Sequence, residues 1–75
     1  MSPRQPVVNA KQIIKALKKL GFRLDRQTGS HAIFIKENYL RVTVPVHGKK
    51  DLPPGTIRQI LDDAQITFDE LKKLI

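Results

Sequence analysis

Seventy-five residues, 40 % of them apolar but with only three Phe, one Tyr and no Trp, make one small domain whose core cannot enclose a deep substrate pocket. The absence of cysteine excludes disulfides and thiolate chemistry, and two histidines among scattered carboxylates argue against a dedicated metal site. The net charge of +7 is uneven: residues 1–50 carry eleven Lys/Arg against Asp25 and Glu37, whereas residues 51–75 carry three against five acids. That balance suits a polyanion on one side of the molecule, nucleic acid before others. The bland alternative is a soluble protein that happens to be basic.

In chain order, residues 1–8 hold Pro3 and Pro6 and little to pack, and read as a flexible arm ahead of a single domain over 9–75. The start of the chain lacks the apolar core of a signal peptide, and no apolar run approaches membrane-spanning length. A cytoplasmic protein that engages no membrane is expected. Asn9 with Gln12 three residues on has the spacing of a capping box. Ile13, Ile14, Leu17 and Leu20 then recur at helical intervals, and Gly21 offers a left-handed stop, predicting a helix over 10–20. "FRLDRQ" alternates Phe22 and Leu24 against Arg23 and Asp25 as a half-buried strand. "TGS" is a turn, "HAIFIK" a second strand, and "EN" a turn into "YLRVTVPV". In that third strand Leu40, Val42, Val44 and Val46 share one face, and Tyr39, Arg41, Thr43 and Pro45 the other. "HGKKDLPPGT" reads as a loop. A helix starting near Pro54 turns Ile57, Ile60 and Leu61 inward. A short last helix follows, capped by Thr67 and Glu70, with Phe68, Leu71, Leu74 and Ile75 as its apolar side. The expected fold class is α+β: an α-β-β-β-α order, a three-stranded antiparallel sheet with helices on one face, and a short extra C-terminal helix. The other sheet face, with Arg41 and Thr43, is left for solvent or a partner.

His31 is the residue whose chemistry stands out. A histidine titrates near neutrality, so it can take a proton from a ribose 2′-OH and return one to a leaving group. The Thr28-Gly29-Ser30 turn would hold it at the sheet margin, and basic neighbours such as Lys36, Arg23 or Arg26 could stabilise charge on a phosphorane. The ordinary reading is a solvated strand-end residue. "HAIFIK" has apolar residues on both sides, so its pattern does not fix the face on which His31 lies. His47 stands in a donor-rich loop with Gly48, Lys49 and Lys50, where phosphate contact competes with a plain solubilising turn. Lys11, Lys15, Lys18 and Lys19 of the first helix fit a phosphate backbone or any exposed helix face equally well. "PPGT" lacks the spacing of a phosphate loop, and Phe22, Phe34 and Phe68 read as core, not as a ladder for stacking bases.

Taken together, "IIKALKKLGFRLDRQTGSHAIF", "VTVPVHGKKDLPPGTIRQIL" and "ITFDELKKL" resemble the HicA family of toxin ribonucleases over residues 9–75. The resemblance implies a double-stranded-RNA-binding-domain-like fold that acts as a metal-independent mRNA endonuclease, without cofactor, and is neutralised by a HicB-type antitoxin protein. The family's catalytic histidine matches His31 in Gly29-Ser30-His31. Many relatives have a second histidine directly after it, where this chain has Ala32. The residues expected to contact RNA are Arg26, Ser30, Lys36, Arg41, Lys49, Lys50, Lys15 and Lys19, with no metal ligand among them. Two other readings remain at this point. One is an RNA-binding module without catalysis, recognising duplex shape through backbone and 2′-OH contacts. The other is an interaction protein whose polar sheet face docks a protein partner.

Overall fold

A computed structural model describes residues 8–37, 40–46, 48 and 50–75. Its elements run α1 (Ala10–Lys19), β1 (Arg23–Thr28), β2 (His31–Lys36), β3 (Leu40–Pro45), α2 (Pro54–Ala64) and α3 (Phe68–Leu74). The order is the one read from the sequence.

Local chemistry sets the ends of the helices. At the start of α1 the Gln12 amide N–H donates to Asn9 Oδ1 at 2.9 Å, and the Asn9 amide donates to Gln12 Oε1 at 3.0 Å. Two N–H groups that no helical carbonyl can reach are thereby satisfied. Gly21 stops the helix at φ +100°, where the Phe22 amide donates back to the Leu17 carbonyl and the Gly21 amide to that of Lys18. Helix α2 ends through the same pair of bonds, but its left-handed residue is Gln65, at φ 60°. The Thr67–Glu70 capping box opens α3 as expected.

The three strands form an antiparallel meander, β1-β2-β3. On one face Ala32 and Phe34 of β2 and Val42 and Val44 of β3 are buried against Ile13 and Leu17 of α1, Ile57 and Ile60 of α2, and Leu71 of α3. All three helices thus contribute to the core on one side of the sheet, and the other side is open. Full burial of a side chain such as Phe34, 2 % exposed, contributes about 2–3 kcal/mol.

Three details depart from the sequence reading. Val8, assigned there to the arm, is buried, and its carbonyl accepts the Leu52 amide at 2.8 Å beside an Asn9–Asp51 bridge. This pins the approach to α2 against the start of α1, so residue 8 belongs to the domain. Ile75 is 41 % exposed because α3 ends at Leu74 and the last side chain passes beyond the core. Leu24 is 50 % exposed, as every residue of β1 is exposed on an edge that the helices do not cover.

Candidate active site

The turn before β2 has two residues, Gly29 and Ser30, and only Gly29 has a positive φ, +57°. A positive φ at the first central position alone is the mark of a type II′ hairpin turn, whose twist matches that of the flanking strands. The turn delivers His31 as the first residue of β2, exposed and paired with Thr28 on one side and Pro45 on the other. Beside it the Val46 amide donates to the Ser30 carbonyl. That bond makes His31–Pro45 a non-hydrogen-bonded pair, in which side chains approach most closely. It also explains how a proline fits here: its missing N–H would point off the edge of the sheet, so no ladder bond is lost.

Alternation along β2 then settles the face. Ala32 and Phe34 are in the core, so His31, Ile33 and Ile35 lie on the open side. Register adds their neighbours. Thr28, His31 and Pro45 form one row, Arg26, Ile33 and Thr43 the next, and Arg23, Ile35 and Arg41 the third.

Arg26 lies two residues before Thr28 and shares its face by plain alternation. Carried further, alternation would put Leu24 on the open side and Arg23 on the helical side. The register instead jumps between Leu24 and Arg26, leaving Asp25 as an extra residue. The bulge re-aims Arg23 toward the open face, a role bulges often have near functional sites. Arg26 Nε and Asp25 Oδ2 lie 3.3 Å apart there. Arg23, Asp25, Arg26, Ile35 and Arg41, with Leu40 and Glu37, line a shallow cleft of about 450 Å³.

Of the residues expected to contact RNA, Arg26, Ser30 and Arg41 are thus assembled with His31. The others are not. Lys36 is the last residue of β2 and shares the face of Ala32 and Phe34; its Nζ sits 5.8 Å from the Phe22 ring centre. It is on the wrong side of the sheet and at the wrong end of the strand to serve as a neighbour of His31. Lys15 is exposed on α1, in the helical layer, and Lys19 Nζ donates to the Leu74 carbonyl at 3.1 Å, linking α1 to the end of α3. The sheet separates both from His31. Lys50 is exposed next to Asp51, near the start of α1. Lys49 and His47 lie outside the described residues, as does Tyr39. The sequence reading offered Arg23 as a neighbour of His31 but left it out of the RNA-contacting set. It also missed the row in which Arg23 faces Arg41 across Ile35. Counted from the two-residue turn alone, Leu24 would stand opposite Ile35; the bulge moves Arg23 there, so the residue types carried no signal for this row.

The geometry also explains the departure at position 32. A side chain there lies on the core face, where Ala32 is 2 % exposed. Alanine in place of a second histidine therefore removes no group from the face that carries His31. Among the described residues no hydrogen bond engages the His31 ring. Nor do three or more His, Cys, Asp or Glu side chains gather there into a group able to hold a metal ion. No helix among the described residues is long and apolar enough to cross a membrane.

Residues 10–66, well over half of the chain, match the model of a family described as the HicA toxin of bacterial toxin-antitoxin. No curated protein gives a significant match.

Proposed function

The chain belongs to the HicA toxin family, and from that premise we propose that it is a metal-independent endoribonuclease acting on mRNA in the cytoplasm, with His31 as its general acid–base. The family makes it the toxin of a toxin–antitoxin pair. Its partner, on this reading, is a HicB-type antitoxin that covers the open face.

The observation that carries the reading is the position of His31: exposed, at the head of the central strand, on the same face as Arg26. The imidazole takes the proton of a ribose 2′-OH, and the 2′-oxygen attacks the adjacent phosphorus. The bond from phosphorus to the 5′-oxygen breaks, and the proton held by His31 passes to that oxygen. The products are a 2′,3′-cyclic phosphate and a 5′-hydroxyl. Arg26, one diagonal step away, stabilises the charge that builds on the phosphorane oxygens.

The test is cleavage of RNA with EDTA present, by the wild-type protein and by His31→Ala. Cleavage by the wild type alone, with cyclic-phosphate ends and an all-deoxy strand left intact, is the expected result. A requirement for added metal, or equal cutting of the deoxy strand, refutes the mechanism. RNA binding by both proteins with cleavage by neither moves the chain to the non-catalytic RNA-binding reading.

A further inference from the structure

We propose that the open face of the sheet is a track for a single RNA strand, running from the His31 row to the Arg23–Ile35–Arg41 row and two nucleotides long. The proposal rests on the ribonuclease reading and names the form in which that site takes its substrate.

Dimensions come first. Successive rows are two residues apart along β2, so they repeat at roughly 6.6 Å, and β1 and β3 lie about 10 Å apart across it. From His31 to Ile35 is about 13 Å. The face therefore offers one trough of one backbone's width, with a side-chain group at each step of roughly one nucleotide of an extended strand. A duplex would bring two backbones to it.

Charge and polarity fit the same ligand. Arg26 is neutralised in part by Asp25, 3.3 Å away. Arg23 and Arg41 form no ion pair among the described residues and flank Ile35 from either side. A guanidinium fork matches two phosphate oxygens at once, which a lysine does not. Between the arginines, Ile33 and Ile35 are half-buried and form an apolar ledge on which the faces of unstacked bases lose water. Glu37 also lines the cleft, at the end of β2 farthest from His31. Its carboxylate repels a further phosphate, so the strand leaves the face after the arginine pair. The bulge supports a functional reading of this face, since without it Arg23 would be on the helical side and Leu24 would stand opposite Ile35.

The experiment titrates the protein with single-stranded 2′-O-methyl oligoribonucleotides, which offer no 2′-OH for cleavage, from 0.1 to 1 M salt. Arg23→Gln/Arg41→Gln is compared with Lys15→Gln/Lys18→Gln, which removes the same charge from α1. All four residues are exposed, so thermal midpoints close to wild type verify the fold. Each lost phosphate contact reduces the salt slope by about 0.7 on a single strand. The arginine pair should then lose roughly 1.4 in slope, so its deficit grows about 25-fold between 1 M and 0.1 M salt. The lysine pair should keep the wild-type slope. Equal slope loss in both variants, a preference for duplex over single strand, or no single-strand binding by the wild type overturns the track. So does an arginine variant that binds RNA normally but no longer binds the antitoxin, which would assign the face to protein. The two readings fail separately. Cleavage with unchanged KM in the arginine variant sinks the track alone. Oligonucleotide binding with the expected slopes, but no cleavage of any RNA, sinks the ribonuclease alone.

Discussion

One substitution, glycine to alanine, should have opposite signs at two places in this fold. At Gly29 the backbone stands at φ +57°, and a Cβ would meet nothing within 4 Å. The penalty is therefore conformational. A left-handed backbone costs an L-residue about 1–2 kcal/mol, offset by about 0.4–1 kcal/mol from the smaller entropy of the unfolded chain. Gly29→Ala should lose about 1 kcal/mol. Gly55 lies in the first turn of α2, without a positive φ and also in open space. There only the unfolded-state gain operates, and Gly55→Ala should gain about 0.4–1 kcal/mol. Urea unfolding monitored by circular dichroism reads both, and in a chain of this size 1 kcal/mol corresponds to about 4–8 °C in Tm. Gly29→Ala should also slow RNA cleavage, because the strained turn carries His31. Changes of the same sign in the two variants would refute the argument that backbone geometry, not space, sets the cost.

Three further substitutions probe other parts of the structure. Asn9→Ala removes the reciprocal cap of α1 and should cost about 1 kcal/mol in chemical denaturation; a neutral result would mean that the Asn9–Asp51 bridge alone holds that end. Phe34→Ala empties the centre of the sheet's buried face and should cost about 3–5 kcal/mol, enough to leave much of the protein unfolded at 37 °C by circular dichroism. Pro45→Ala should leave the Tm within a few degrees, since no ladder bond depends on the proline, yet lower kcat by freeing the His31 ring from its close cross-strand neighbour. Unchanged kcat would show that the pairing does not position His31.

Much of the fold was legible because its punctuation is explicit. Asn9 and Gln12, Gly21, the Gly29-Ser30 turn, Pro54 and the Thr67–Glu70 pair each mark an element end by a local rule, and each marks one in the structure. Alternation in β3 was equally readable, since Val42 and Val44 are apolar and Arg41 and Thr43 are not. β2 was not readable in this way: Ala32, Ile33, Phe34 and Ile35 are apolar on both sides, and only tertiary packing decides which pair is buried. The bulge at Asp25 was the other illegible feature. "RLDRQ" alternates smoothly on paper, and nothing in the residue types announces an extra one. Half of the candidate site followed from this, since the face of His31 depends on β2 and that of Arg23 on the bulge. Charge placed Lys36 near His31 and Lys15 and Lys19 among the RNA contacts, but charge carries no information about layer.

Strand β1 has no buried residue, whereas α1 and α2 pack over β3. It is held by its ladder to β2, with Phe22 anchoring only the residue before it. A segment with so little apolar burial opens at a small fraction of the global unfolding free energy, so its amides should exchange with deuterium well before those of β3. Arg41 is thus mounted on the strand that the helices brace, and Arg23 and Arg26 on the strand held by its ladder alone.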